Sequence, residues 1–309
     1  MHLPRRKRTR LAIALSAVLL GAGAIAFGVA IPADPPESGP GVRSHAEHSD
    51  IWTVNVETRE LTRQTLNADA REPDWSPDGE LAFSTVDCDE CFSEIHLDRA
   101  GPTEVPVETT VRHLYQPTWA PDGKRFAVVR LGRGIYTVDI ATRTAKRVTT
   151  GPSDQSPAWS PNGDWIVFDR LVKPANYELL AVDTTTGQLR RLTRDPSAQT
   201  SPAWSPDGTR LAFAEQQSNG HWTLVTMGFD GNGRKRVTGS QISAQEPVWS
   251  PDGKQIAFIL QELDRATVAV IDADGKGSAV ELTDDTLFAS RPTWSPGGTS
   301  IAFSATVVP

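Results

Sequence analysis

The chain has 309 residues, 38% of them hydrophobic and 22% charged, with a formal net charge of −7. This supplies one large domain with a substantial core. From Asp50 onward 25 basic side chains face 35 acidic ones, a net charge of −10. That argues against nucleic acid as a partner, because phosphate binding needs a basic surface.

Residues 1–10, MHLPRRKRTR, form a basic cytoplasmic n-region with five basic side chains. Leu11–Ile31 follows as 21 uncharged residues. As a helix rising about 1.5 Å per residue it would span roughly 30 Å, enough for a hydrocarbon core. The basic flank stays inside, which places the remainder outside the cytoplasm. Ala22-Gly23-Ala24 and Ala24-Ile25-Ala26 resemble signal-peptidase sites but lie inside the apolar run. A cleaved signal peptide and an uncleaved membrane anchor both remain open, with length favouring the anchor. No Cys follows the run, which excludes a lipoprotein anchor. Residues 32–49, PADPPESGPGVRSHAEHS, have the Pro, Gly and Ser content of a flexible linker.

From Asp50 to Pro309 one unit recurs six times. Its copies are EPDWSPDGELAF, QPTWAPDGKRFAV, SPAWSPNGDWIVF, SPAWSPDGTRLAF, EPVWSPDGKQIAF and RPTWSPGGTSIAF. Their tryptophans, Trp75, Trp119, Trp159, Trp204, Trp249 and Trp294, are spaced by 44, 40, 45, 45 and 45 residues. Ser-Pro-Asp-Gly has the chemistry of a type I turn, with Pro setting φ and Gly supplying positive φ. It joins the Pro-x-Trp strand to an apolar strand. Leu211 and Phe213 then share one face, with the small Ala212 on the other.

A second pattern follows, as in Ile135–Thr149, Leu179–Thr193, Leu224–Thr238 and Val268–Thr283. Each is two short strands around an Asp/Gly/Thr turn, which makes four strands per period and matches a propeller blade. Asp50–Thr62 reads as the outer half of a blade, and the C-terminal segment as an inner half. The expected fold is all-β: a six-bladed β-propeller of four-stranded blades over 50–309. N-terminal outer strands close the ring against C-terminal inner strands, and one hydrophobic helix precedes the propeller.

The unit P-x-W-S-P-D-G-x-x-[IL]-A-F resembles the WD40-like β-propeller repeat of the TolB family, and "IYTVD" with "RVT" or "RLT" resembles the rest of that repeat. The resemblance covers nearly all of Asp50–Pro309. Ala120 departs from the Ser, and Asn162 and Gly297 from the Asp. The resemblance implies a periplasmic interaction platform that binds protein or peptide partners without enzymatic activity. TolB proteins also carry an α/β domain before the propeller, where this sequence has an anchor and linker. The full trans-envelope role is therefore not carried over.

Other chemistry is sparse. Cys88 and Cys91, in Cys-Asp-Glu-Cys, suit a local disulfide in an oxidising compartment. Free thiols stay open, and redox or zinc chemistry lacks the usual helix start or second ligand pair. Asp272–Gly277 superficially suggests a calcium loop, but Thr283 stands where an EF-hand needs Glu. That loop, like Asp230–Gly233, reads as a strand-connecting turn. No G-x-S-x-G motif or phosphate loop occurs, and His96, His113 and His221 lie in separate settings. No metal or cofactor is expected.

One position breaks the repeat. The residue before each Pro-x-Trp is Glu72, Gln116, Ser156, Ser201, Glu246 or Arg291: always polar, and variable where its neighbours agree. On the innermost strands these six should face the mouth of the central channel, where a site would be built. The expected function is that of a non-enzymatic, exported, membrane-tethered interaction module of the bacterial cell envelope. The alternative is a carbohydrate-active enzyme or small-ligand sensor at the same channel mouth.

Overall fold

The computed structural model describes residues 48–66, 69–87, 92–98, 105–106 and 113–308. The basic segment, Leu11–Ile31, most of the linker and both cysteines lie outside these residues. Among the described residues no helix is long and apolar enough to cross a membrane.

Among the described residues twenty-four strands form six four-stranded sheets. In chain order β1 (Asp50–Asn55) and β2 (Leu61–Arg63) come first. The first complete blade is β3 (Ala70–Trp75), β4 (Leu81–Asp87), β5 (Phe92–Asp98) and β6 (Val105–Pro106). The second is β7 (Leu114–Trp119), β8 (Arg125–Arg130), β9 (Gly134–Asp139) and β10 (Thr144–Arg147). The third is β11 (Asp154–Trp159), β12 (Trp165–Lys173), β13 (Asn176–Asp183) and β14 (Leu189–Arg191). The fourth is β15 (Gln199–Trp204), β16 (Arg210–Gln216), β17 (Trp222–Gly228) and β18 (Lys235–Arg236). The fifth is β19 (Ser243–Trp249), β20 (Gln255–Gln261), β21 (Ala266–Asp272) and β22 (Val280–Glu281). Last come β23 (Leu287–Trp294) and β24 (Ser300–Val307).

Each complete blade pairs its strands in sequence order, all antiparallel. The sixth sheet runs β2-β1-β24-β23, so the predicted closure holds: Asp50–Asn55 lies along Ser300–Ala305 in six residue pairs.

The turn expected from Ser-Pro-Asp-Gly forms in every copy. Gly208 N donates to Ser205 O at 2.9 Å with Gly208 at φ +69°, and Gly298 N donates to Ser295 O at 2.9 Å although Gly297 replaces the Asp.

The Leu-Ala-Phe triplet has a packing reason. Leu211, Phe213 and Trp204 of one blade pack with Val167 of the preceding blade, and Ile301, Phe303 and Trp294 pack with Ala257. Leu81, Phe83 and Trp75 meet Ala302 in the same way. The middle residue that receives the next blade's rings is Ala257, Ala302 or the somewhat larger Val167. The six Phe residues and their Ile, Leu or, in the second copy, Val128 partners are buried, as are the alanines. This agrees with both faces of the second strand being covered.

In five blades a Thr at the end of the blade is a latch. Thr149, Thr193, Thr238 and Thr283 accept through Oγ1 from the backbone N of Ile135, Leu179, Leu224 and Val268, at 2.9 to 3.0 Å. In the closing blade the latch is Thr65, bonded to Ile51 N at 2.9 Å. It lies three residues beyond Thr62, where the sequence pattern placed the end of that half-blade.

Candidate functional site

The six variable residues lie on the six innermost strands, and all six line one cavity of about 150 Å³ on the propeller axis. They sit inside the strands rather than at their tips: Gln116, Ser156 and Ser201 are each the third residue of their strand. The opposite, turn-bearing end holds a second cavity of about 240 Å³. It is lined by Trp75, Trp119, Trp159 and Trp294 with the turn prolines. Four of the repeat tryptophans are therefore part of the channel wall as well as of the blade interfaces.

The six share a backbone state that the sequence did not reveal. Glu72, Gln116, Ser156, Ser201, Glu246 and Arg291 all have positive φ, between 50 and 58°. At each, the inner ladder shifts register, as between Gln155 and Ala158 or between Thr200 and Ala203. This is a β-bulge formed where Pro, lacking an N–H, interrupts pairing. A side chain in the left-handed region costs about 1–2 kcal/mol. The bulge also removes one N–H from the ladder, and a buried N–H must find another acceptor.

Side chains of the ring supply those acceptors. Glu72 Oε2 accepts from Gln116 N at 2.6 Å, Gln116 Oε1 accepts from Ser156 N at 2.7 Å, and Glu246 Oε2 accepts from Arg291 N at 2.6 Å. Ser156 is too short to continue the pattern. Asp169 of β12 replaces it and accepts from Ser201 N at 3.5 Å. Ser304 Oγ of β24 accepts from Glu72 N at 3.1 Å, which closes the ring across the termini. Five of the six bulges, at Glu72, Gln116, Ser156, Ser201 and Arg291, are thus held by the preceding blade.

Charge is concentrated on one side. Arg291 Nε lies 3.3 Å from Glu246 Oε1, and the side chains are only 18% and 15% exposed. Burial alone would lower the Arg291 pKa, but Glu246, Glu72 and Asp169 together raise it. Among the described residues lining this cavity Arg291 is the one cation.

Two further carboxylates belong to the site. Asp74 lines the cavity and takes hydrogen bonds from Trp119 N at 2.7 Å and Thr293 Oγ1 at 3.0 Å. Burial pushes its pKa up to about 6 against the pull of those donors. Burial likewise raises Asp169 to about 6, opposed by the Ser156 hydroxyl and Arg291. Both signals were present in the aligned copies. Asp74 stands where the other units have Thr118, Ala158, Ala203, Val248 and Thr293, and Asp169 where they have Ser, Val, Ala or Ile.

Asp74 supports a pH prediction. A folded pKa near 6 above the ordinary 3.8 means the neutral form is favoured by folding. Its stability contribution is complete below about pH 4 and is lost as pH rises through 6. Asp74→Asn can keep both bonds, accepting from Trp119 N and donating to Thr293 Oγ1. The variant should match the parent near pH 4 and exceed it by about 1–2 kcal/mol above pH 6.5, after allowing for water in the channel. Urea unfolding across this range measures the difference; a gap that does not grow with pH would refute it.

The remaining candidates separate from this site. His96 stacks on Phe83 at 5.7 Å and its Nε2 is 2.9 Å from Thr85 Oγ1, inside a blade. His221 lies in the exposed β16–β17 connection and His113 just before β7. Asp230 Oδ1 accepts from Asn232 N at 3.0 Å, and Asp274 pairs with Lys276 at 2.7 Å, as strand-connecting turns do.

The family model of the TolB beta propeller domain matches residues 92–308. The Tol-Pal system protein TolB of Francisella tularensis subsp. mediasiatica (strain FSC147) is 26% identical over 134 residues, covering 41% of this chain and 31% of that protein. The match thus spans about a third of the length of the curated relatives. A TolB crystal structure from Acinetobacter baumannii superposes with a TM-score of 0.60 at 18% identity, covering 84% of this chain and 63% of that one. Oligogalacturonate lyase from Vibrio parahaemolyticus superposes at 0.57 with 14% identity, covering 85% and 97%. At these identities the structural matches show the fold alone.

Proposed function

This chain belongs to the TolB beta propeller domain family, and from that premise we propose that it is an exported, non-enzymatic interaction module of the bacterial cell envelope. It captures a protein or peptide partner at the central channel. Leu11–Ile31 tethers it to the membrane, with the propeller outside the cytoplasm. The name of its curated relatives, Tol-Pal system protein TolB, supports an envelope setting.

One observation carries the reading. Six positions where the copies differ, all polar, converge on one cavity whose surrounding Pro, Trp and Gly positions agree. Scaffold positions repeat because every blade has the same packing problem, whereas recognition needs asymmetry about the axis. The cavity, at about 150 Å³, admits a side chain or a chain end rather than a folded surface. The partner therefore presents an extended segment. With Arg291 on one side and Gln116 and Ser156 on the other, the channel offers that segment a polarised lining.

The test is in-cell crosslinking and capture with the intact chain against a Glu72→Gln, Glu246→Gln, Arg291→Lys variant. The glutamines retain acceptors for the ring N–H groups. A specific partner should fall at least about tenfold in recovery, a change of about 1.4 kcal/mol. Unchanged recovery would place the partner's site elsewhere. Turnover of polysaccharides or peptides that disappears in the variant would replace this reading with the enzymatic one.

A further inference from the structure

The residue just before the apolar triplet has a repeated task. Arg125 places its guanidinium 5.1 Å above the ring of Trp159 in the next blade, and Arg210 does the same to Trp249 at 4.6 Å. Two junctions therefore cover the repeat tryptophan with a cation supplied by the chain itself. At the junction between them this position is Trp165, and the tryptophan it approaches is Trp204.

A second replacement accompanies the first. Phe229 stands where other blades have Ile140, Thr184 or Ala273. Its ring lies 5.3 Å from Trp165 and 4.7 Å from Trp204, tilted by 60 and 46°. The three half-buried rings, with Pro161, Asn162 and Asp207, line a pocket of about 230 Å³. It opens at the turn-bearing end of the blades, away from the polar ring of the channel.

The electrostatics of the pocket are defined. Asp207 Oδ1 accepts from Thr209 N at 3.0 Å, from Thr209 Oγ1 at 2.8 Å and from the Ser205 hydroxyl. These bonds, led by that of Ser205, lower its pKa to about 2, so it is ionised at every physiological pH. Asp207 Oδ2 has no hydrogen bond among the described residues and remains available as an acceptor. Asp164 adjoins Trp165 and holds Asn162 Nδ2 at 2.7 Å. Of the cations nearby, Arg190 already covers Phe229 at 4.8 Å, and Arg210 is engaged with Trp249. Among the described residues the faces of Trp165 and Trp204 have no such cation.

We propose that this pocket is a second binding site, one that takes the guanidinium side chain of an arginine in a peptide or protein partner. The chain's own arginines occupy the matching place at the two adjacent junctions, which shows that the geometry suits a guanidinium. Aromatic faces attract it through their quadrupole, and Asp207 provides the counter-charge. A single exposed aromatic would need no explanation, but two aromatic replacements converging on one junction and enclosing a carboxylate form a pocket.

The test uses the full chain labelled with ¹⁵N at the tryptophan indoles, with acetyl-Gly-Gly-Arg-Gly-Gly-amide as probe and its citrulline counterpart as control. The arginine peptide should shift the Trp165 and Trp204 indole signals saturably, at least tenfold more tightly than the citrulline peptide. Asp207→Asn should weaken it at least fivefold while the other indole signals stay in place. Trp165→Arg should restore the arrangement of the adjacent junctions, fill the pocket and abolish binding with the fold intact. Equal response to citrulline, tighter binding of a methyl glycoside, an unmoved Trp204 signal, or undiminished binding in Trp165→Arg would each overturn the proposal.

Discussion

Glu246→Ala is expected to destabilise the propeller by about 3–5 kcal/mol, because it leaves Arg291 as an unpaired buried cation. Two losses combine in this one change. The carboxylate neutralises a guanidinium whose side chain is only 18% exposed. Its second oxygen also accepts the Arg291 N–H that the bulge removed from the ladder, at 2.6 Å. Glu246→Gln retains an acceptor and should cost distinctly less. The double variant Glu246→Ala, Arg291→Met removes both charges and should recover much of the loss, since a removed ion pair costs less than a broken one. Thermal unfolding measures all three, with a fall of about 10 °C expected for Glu246→Ala at this domain size. If the double variant is no more stable than Glu246→Ala, the buried-cation account fails.

Removing residues 1–66 should be more damaging still. It takes away β1 and β2 and exposes the backbone of β24 over six paired residues. Ile51 and Val54, both with no exposed surface, leave the core, and Thr65 no longer latches Ile51. At about 1.5–3 kcal/mol per buried aliphatic side chain, with the ladder in addition, the loss reaches at least about 5 kcal/mol. The open edge of β24 is also a template for pairing with another chain. The truncated protein should therefore melt at least about 10 °C lower and elute as dimers or aggregates. A synthetic peptide of residues 48–66 should restore the monomer. A truncated protein that melts within about 3 °C of the parent would show that closure contributes little.

These predictions separate what was legible in the sequence from what was not. Trp204, Ser205–Gly208 and Leu211–Phe213 could be read because their chemistry is local. A Pro-Asp-Gly turn fixes a hairpin, and period-2 burial fixes its faces. Six repetitions then turn a weak local signal into a strong one. Closure followed from arithmetic, since two half-blades at the ends make a whole one. The outer half-blade read as Asp50–Thr62 extends to Thr65, whose bond to Ile51 lies beyond β2, a strand of three residues with little pattern of its own.

The candidate site was legible as positions but not as a mechanism. The variability of Glu72, Gln116, Ser156, Ser201, Glu246 and Arg291 marked them out. Their common positive φ, and the use of their side chains to bond the next blade, did not show. Asp74 and Asp169 were overlooked because each breaks the repeat at a position treated as scaffold.

The sequence by itself determined the blade, the number of blades, the closure and the list of variable positions. Each of these rests on interactions within about 20 residues or on a count of repeats. Tertiary structure alone decided what the variable residues do. Glu246 and Arg291 are 45 residues apart in the chain and bonded across blades, and Ser304 reaches Glu72 across 232. Trp165, Trp204 and Phe229 likewise meet only because consecutive blades are wedged together. Contacts between equivalent positions of adjacent blades leave no period of their own in the sequence, so only the closed ring brings them into view.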